Sequence, residues 1–207
     1  MTEIIQGTKL WHPTPETIAN ANLTHYMHWL SEAHNLTFTN YDQLWHWSVD
    51  NIETFWATLW NYFDLKYSGD LEPALPHSTM PGAAWFPNVQ VNYAENIFAQ
   101  MTADQPALYY KAEDQPLTEI SWATIYEQTN SLAQALRDLG IQQGDRIVAY
   151  LPNIPETIVA VLAAASLGAI WSSCSPDFGT RSVLDRFTQI KPKILIAVDG
   201  YTYGGKQ

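Results

Sequence analysis

Alternating strand and helix patterns constrain the second half of the chain more strongly than any other feature. Residues 146–151, 169–173 and 193–198 have the apolar composition of buried strands. Residues 154–168 and 180–190 have the apolar spacing of helices, and only a few residues connect each segment to the next. Such an order forms a parallel sheet with right-handed crossovers. The sequence therefore predicts an α/β fold with the first β-α-β-α-β unit of a doubly wound, mostly parallel sheet.

A hairpin and a further helix precede this unit. Residues 107–111 and 117–120 have strand composition, and a turn at residues 114–116 lies between them. Ser121 is the predicted N-cap of a helix that continues to Asp138. The pattern therefore places an antiparallel hairpin before the parallel sheet.

The first half of the chain is predicted to be helical and rich in aromatic residues. Seven of the nine Trp residues lie among the first 100 residues. Thr14 and Pro15 predict the start of a helix that continues to Asn35, and residues 41–49 predict a second helix. Because the aromatic side chains recur at helical spacing, we expect them to pack against one another.

Two further features belong to the first half. Asp50 and Glu53 resemble a capping box at the start of a third helix. Residues 66–90 contain four prolines and no periodic apolar run. A loop of this length is uncommon inside a domain, so we interpret it as a strap that lies over another part of the structure.

The charge balance excludes two classes of partner. The chain carries 21 Asp and Glu against 10 Lys and Arg, a net charge of −11. Such a surface repels nucleic acid and anionic membranes, so neither is an expected partner. Only two of the Lys and Arg residues lie in residues 1–100. An anionic ligand is therefore expected to bind the second half.

Localisation is predicted from cysteine content and hydropathy. Cys174 is the single cysteine, which excludes an intrachain disulfide bond. No basic segment followed by an apolar run opens the sequence. The longest apolar stretch, residues 158–170, is shorter than the roughly 20 residues that a bilayer requires. These observations predict a cytoplasmic protein.

Ligands of doubly wound sheets bind beyond the carboxyl ends of the strands. In this chain those ends are residues 152–153, 174–179 and 199–206. The third contains a G-x4-G-K pattern from Gly200 to Lys206, whose backbone N–H groups and lysine would hold phosphates. Gln207 stands where such loops place a magnesium-binding Ser or Thr. Two alternatives to a nucleotide phosphate loop therefore stay open: a plain Gly-rich turn, or a lysine that binds the phosphate of another ligand.

Histidine and cysteine supply weaker candidates. His25, His28 and His34 lie close in sequence, but no Cys or carboxylate completes a recognisable metal set with them. Cys174 follows a predicted strand, as some nucleophiles do, yet no histidine occurs after His77 to act as its base. We therefore expect surface histidines and a buried, unreactive thiol.

Five motifs of the sequence belong together. They are W-F-P at residues 85–87, N-Y-A-E-N at 92–96, G-D-R at 144–146, W-S-S-C-S-P-D-F-G at 171–179 and D-G-Y-T-Y-G-G-K at 199–206. These motifs resemble those of the acetyl-CoA and acetoacetyl-CoA synthetases, which are adenylate-forming acyl-CoA ligases. The last two motifs are similar to the acetoacetyl-CoA form in particular.

The resemblance implies an ATP-dependent acetoacetate–CoA ligase of ketone-body and lipid metabolism. In this family acetoacetate attacks the α-phosphate of ATP and releases diphosphate. The thiol of CoA then displaces AMP from the acyl-adenylate. ATP, CoA and Mg²⁺ are the implied cofactors, and acetoacetate is the implied substrate.

The resemblance also implies that the 207 residues form an incomplete ligase. The family's Ser/Thr/Gly-rich phosphate loop, its adenylate and ribose motifs and its mobile C-terminal domain are not found in the sequence. Residues 1–105 would be the N-terminal segment, and residues 106–207 the truncated start of the AMP-binding core domain. This fragment is expected to be inactive without the remainder of the ligase. The alternative is a non-catalytic binding or regulatory module with a ligase-like fold.

Only a role in CoA binding can be carried over from the family. Tyr203 and Lys206 align with two arginines that bind the 3′-phosphate of CoA in acetate-type relatives. Residues 175–179 align with the loop along which the CoA diphosphate passes, and Phe178 matches an aromatic residue there. The resemblance implies no catalytic residue and no metal ligand in this chain.

Overall fold

The structure is a computed structural model that describes residues 6–113 and 115–205. The chain divides into two units, Met1–Val89 and Gln90–Gln207. The elements of the first unit are α1 (Pro15–Ala19), α2 (Asn22–His34), α3 (Tyr41–Asp50), α4 (Ile52–Tyr62) and the two-residue strand β1 (Ser68–Gly69).

The first helix begins where the sequence predicts, but it ends earlier. The side chain of Thr14 accepts a hydrogen bond from the backbone N–H of Thr17 at 3.1 Å, which caps α1. The prediction of a single helix to Asn35 is wrong. The N–H of Asn20 bonds to carbonyls of the preceding turn, and the backbone of Ala21 is extended. The chain therefore starts a new helix, α2.

The capping box predicted at the start of the third helix is also wrong. Asp50 is the last residue of α3, and Asn51 lies at the N-cap of α4 without a side-chain hydrogen bond. The carboxylate of Glu53 instead accepts a hydrogen bond from the backbone N–H of Leu75 at 3.4 Å. Glu53 therefore connects α4 to the loop that follows it.

Aromatic side chains form the core of the first unit. Tyr26 and Leu30 of α2 are buried, and the ring of Tyr26 packs edge-on against Tyr62 with centroids 4.9 Å apart. The Tyr26 hydroxyl lies 2.7 Å from Oγ1 of Thr58, which donates its own hydrogen to the carbonyl of Phe55. The expectation that these aromatic residues pack together is confirmed.

The proline-rich segment 66–90 lies against α4. Trp56 of α4 packs on Trp85 with centroids 5.7 Å apart. Trp60 packs on Phe86 with centroids 5.1 Å apart. The segment is therefore held by aromatic contacts, although it has almost no regular secondary structure of its own.

The second unit contains the hairpin and the parallel sheet. Its elements are α5 (Tyr93–Phe98), β3 (Leu108–Tyr110), β4 (Thr118–Ile120), α6 (Trp122–Asp138), β5 (Arg146–Tyr150), α7 (Pro155–Ser166), β6 (Ile170–Cys174), α8 (Thr180–Ile190) and β7 (Ile194–Ala197). The strand β2 (Val89–Gln90) spans the boundary between the units.

The predicted α/β fold is confirmed. The strand β5 lies between β6 and β7 and pairs with both in parallel register. Ile147, Val148 and Ala149 in the middle of β5 have no exposed surface. Helix α7 packs on this strand through buried residues such as Ala163. A central strand covered on both faces is typical of parallel sheets.

The hairpin and the helix after it also form as predicted. β3 and β4 pair antiparallel, with Leu108 opposite Ile120. The side chain of Ser121 accepts a hydrogen bond from the backbone N–H of Thr124 at 3.1 Å and caps α6. Of the predicted hairpin turn, Asp114 lies outside the described residues.

The second compact unit begins at Gln90, upstream of residue 106, where the resemblance places the start of the core domain. Ala94 of α5 is buried in a cluster with Ile125 of α6 and Val159 of α7. The side chain of Asn92, at the N-cap of α5, donates a hydrogen bond to the carbonyl of Ser166 at 3.0 Å. Because of these contacts, α5 belongs with the sheet unit.

The G-D-R motif at residues 144–146 joins the ends of several elements at the edge where the parallel strands begin. The Arg146 guanidinium donates to the carbonyls of Ile190 at 2.9 Å and Lys191 at 3.1 Å, which end α8. Asp145 accepts from the Lys193 ammonium at 2.6 Å and from the backbone N–H of Gln142 at 2.8 Å. These hydrogen bonds lower the pKa of Asp145. The motif is therefore a structural anchor in this chain.

We expect the substitution Arg146→Lys to destabilise the second unit by about 1–3 kcal/mol, because an ammonium cannot reproduce the fork of a guanidinium. Urea unfolding followed by circular dichroism measures this loss. Arg181→Lys on the exposed surface of α8 is the matched control and should leave the midpoint unchanged. Equal midpoints for Arg146→Lys and the wild-type chain would contradict the anchoring role.

Candidate functional site

A cleft of about 520 Å³ lies at the edge of the sheet where the parallel strands end. Residues 152–154, 175–177, 198 and 200–203 contribute to its walls, and they follow β5, β6 and β7 respectively. Residues 110–113 and Gln115 of the hairpin also line the cleft. The structure thus brings the three strand ends together, as expected for a ligand site of a parallel sheet.

Tyr150 fixes the loop that follows β6. Its hydroxyl lies 2.8 Å from the carbonyl oxygen of Pro176 and 2.9 Å from that of Phe178, so one hydrogen is shared between the two acceptors. Tyr150 is the last residue of the central strand β5, which is rigidly held on both sides. The loop is therefore anchored to the most buried strand of the sheet.

Asp177 connects this loop to the segment after β7. One carboxylate oxygen accepts from the hydroxyl of Ser175 at 3.0 Å, and the other accepts from the hydroxyl of Tyr201 at 3.3 Å. Partial burial and the negative charge of Asp177 raise the pKa of Tyr201. Tyr201 therefore stays protonated and acts as a donor at neutral pH.

Glu113 occupies the backbone amides of the Gly-rich turn. Its Oε1 accepts from the N–H of Gly204 at 2.8 Å and its Oε2 accepts from the N–H of Gly205 at 2.9 Å. These two hydrogen bonds lower the pKa of the Glu113 carboxyl. The amides that the G-x4-G-K pattern would direct toward phosphates are thus engaged by a carboxylate of the chain itself.

Of the three residues that the resemblance assigns to CoA, only Tyr203 is among the described residues that line the cleft. Tyr203 lines the cleft and its side chain is 69% exposed. Phe178 is not among the described residues that line the cleft, and the guanidinium of Arg186 lies 4.8 Å from the centre of its ring. Lys206 lies outside the described residues. The CoA-binding role of all three stays a prediction.

Negative charge dominates the described part of the cleft. Lys111 is the one cation among the described lining residues, whereas Glu113 and Asp177 each contribute a carboxylate. Sequence reasoning gives no role to Lys111 or Glu113, and it includes Asp177 only as part of the loop 175–179. Glu113 contacts a turn that is 91 residues away along the chain, and no local pattern encodes such a contact.

The remaining candidates do not form a second site. His25, His28 and His34 are exposed, and within residues 6–113 and 115–205 no three His, Cys, Asp or Glu side chains form a metal-binding group. Cys174 is buried beside Val148, as expected for an unreactive thiol. In the same residues, no helix is long and apolar enough to cross a bilayer.

Comparison with known families identifies the class of protein that carries this cleft. The model described as "AMP-binding enzyme" matches residues 96–206, and the model described as "Acetyl-coenzyme A synthetase N-terminus" matches residues 41–97. The first match covers more than half of the chain. The chain therefore belongs to the AMP-binding enzyme family.

Several proteins that are similar to this chain are acetoacetyl-CoA synthetases. The solved structure of "Acetoacetyl-CoA Synthetase from Streptomyces lividans" superposes with a TM-score of 0.92 at 46% identity, over 96% of this chain and 31% of that one. The synthetase of Rhizobium meliloti is 39% identical over 96% of this chain, and that of Macaca fascicularis is 36% identical over 99%. The resemblance seen in the sequence is confirmed.

The matches also fix how much of these proteins the chain represents. It covers 30% of the Rhizobium meliloti relative and 31% of the Macaca fascicularis relative. The chain thus spans about 30% of the length of the curated relatives it matches.

Removal of the Tyr150 hydroxyl should loosen the loop after β6. In Tyr150→Phe, we expect the backbone amide of Phe178, which donates to the carbonyl of Ser175 at 3.1 Å, to exchange its hydrogen about fivefold faster. That factor corresponds to about 1 kcal/mol for one hydrogen bond. Hydrogen–deuterium exchange measured by mass spectrometry on peptides that cover residues 174–179 provides the test. Tyr109→Phe, at an exposed ring of the hairpin, is the control. Unchanged uptake in Tyr150→Phe would show that other contacts hold the loop.

Proposed function

We propose that this chain forms the N-terminal part of an ATP-dependent acetoacetate–CoA ligase. The complete ligase would convert acetoacetate, ATP and CoA to acetoacetyl-CoA, AMP and diphosphate through an acyl-adenylate. The observation that carries the proposal is the match to the Streptomyces lividans synthetase at 46% identity across nearly the whole chain. Fold alone would not support a substrate, but similarity of this degree favours a common reaction.

The cleft supports a role for this part of the ligase in binding CoA. Its volume of about 520 Å³ lies within the usual range for small-molecule sites. Tyr203 presents an exposed ring at the wall, and Lys111 presents a cation. We infer that these residues hold part of the CoA nucleotide, together with Lys206, which aligns with a phosphate-binding arginine of acetate-type relatives. The loop that contains Phe178 would lie along the diphosphate.

The described residues do not fit the phosphates of ATP. The amides of Gly204 and Gly205, which the G-x4-G-K pattern would direct toward phosphates, are already bonded to Glu113. Among the described residues, no three His, Cys, Asp or Glu side chains form a metal-binding group. We therefore assign no step of adenylate formation to the described residues.

A chimera tests the proposed function. This chain would replace the corresponding segment of the Streptomyces lividans synthetase, and we expect acetoacetate-dependent formation of acetoacetyl-CoA. We expect the 207-residue chain alone to show no acetoacetate-dependent exchange of diphosphate into ATP. A soluble, folded chimera that makes no acetoacetyl-CoA would contradict the proposal and favour a non-catalytic module. Exchange by the chain alone would reveal an adenylation site within these residues.

The CoA-binding role of Lys206 is tested in the same chimera. A hydrogen bond to a charged group changes affinity by roughly ten- to hundredfold, so Lys206→Ala should raise the KM for CoA by about that factor. The KM values for ATP and acetoacetate should stay nearly constant. Lys9→Ala, in the first unit, is the control. Dephospho-CoA lacks the 3′-phosphate that Lys206 is proposed to bind. If Lys206→Ala raised the KM for dephospho-CoA as much as the KM for CoA, Lys206 would not bind the 3′-phosphate.

A further inference from the structure

The contact between Glu113 and the Gly-rich turn joins the two walls of the cleft. Glu113 lies in the connection between β3 and β4, and Gly204 and Gly205 follow β7. Each carboxylate oxygen accepts one N–H, at 2.8 and 2.9 Å, so both acceptors of the side chain are used in parallel. Charge-assisted hydrogen bonds of this kind are stronger than neutral ones.

The turn is shaped for this contact by its two glycines. Gly204 and Gly205 have φ angles of +58° and +70°, which L-residues rarely adopt. A Cβ atom built on either glycine would meet no other atom within 4 Å. Glycine is therefore required at these two positions because of the positive φ angles, and not because a side chain would collide with neighbouring atoms. This conformation directs two successive amides to one anion.

The contact bears on the cleft because Tyr201, Thr202 and Tyr203 line it directly before the glycines. The hydroxyl of Tyr201 donates a hydrogen bond to Asp177, which fixes one end of the segment. Glu113 holds the other end on the hairpin. The segment that carries Tyr203 is thus fastened at both ends across the cleft.

We propose that Glu113 is a positioning residue that latches residues 201–205 onto the hairpin and so fixes the wall of the cleft that carries Tyr203. The latch depends on a carboxylate, because only a group with two acceptor oxygens satisfies both amides. The inference rests on the proposed function only for the identity of the ligand, CoA, that would bind in the cleft. The latch itself requires no ligand.

Three variants of the 207-residue chain separate a carboxylate latch from a role of side-chain shape. Glu113→Ala removes both acceptors, whereas Glu113→Gln keeps the shape but leaves one acceptor and no charge. Glu119→Ala removes an exposed acid of the same hairpin and serves as the control. The readout is hydrogen–deuterium exchange measured by mass spectrometry on peptides that cover residues 199–207 and, as a reference for global stability, residues 146–150.

In Glu113→Ala we expect the amides of Gly204 and Gly205 to exchange at least about fivefold faster than in the wild-type chain. Glu113→Gln should be intermediate, and Glu119→Ala should match the wild type. Uptake in residues 146–150 should stay constant in all variants. Equal uptake in residues 199–207 for Glu113→Ala and wild type would overturn the latch. Wild-type uptake in Glu113→Gln would assign the contact to shape and would also overturn it.

This experiment contains no CoA, so its outcome is independent of the proposed function. If the chimera fails to make acetoacetyl-CoA while the exchange rates change as expected, the latch stands and the ligase assignment fails. If the chimera is active while the exchange rates do not change, the ligase assignment stands and the latch fails.

Discussion

Parallel pairing of β5 with both β6 and β7 is the interaction on which the second unit depends. The middle of β5 has no exposed surface, and burial of this strand stabilises the sheet through the hydrophobic effect. Because all three strands run in the same direction, their carboxyl ends meet at one edge. The cleft, the Tyr150 anchor and the Gly-rich turn all lie at that edge, so the site follows from the pairing rather than from any single loop.

The two edges of the sheet carry different kinds of residue. At the edge where the strands begin, Asp145 and Arg146 bond to backbone groups and to Lys193, which ties the helix ends to the sheet. At the opposite edge, Asp177 and Glu113 bond to groups that line the cleft. The G-D-R motif thus has a structural explanation here, whereas the cleft depends on contacts between separate segments, which no single motif describes. This separation agrees with the general placement of ligands at the carboxyl ends of parallel strands.

Much of the fold could be predicted because its determinants are local. Capping by Thr14 and Ser121 needs only a hydroxyl and the amide three residues further on, and both caps are present. The failures involve competition between local signals. Asp50 carries a capping signal, yet α3 extends through it. The helix that begins at Pro15 ends before Asn20, although the apolar spacing continues beyond that residue. Local periodicity does not decide which of two compatible structures the surrounding contacts select.

The sequence by itself determined the class of fold, the order of the strands and helices, and the three loops that meet at the cleft. It also carried the resemblance to acyl-CoA ligases, because those motifs are continuous in sequence. Only the tertiary structure decided which groups face one another in the cleft. Glu113 reaches amides 91 and 92 residues away, and Tyr201 reaches Asp177 across 24 residues. Such contacts depend on how separate elements pack, and periodicity within one element contains no information about a partner in another.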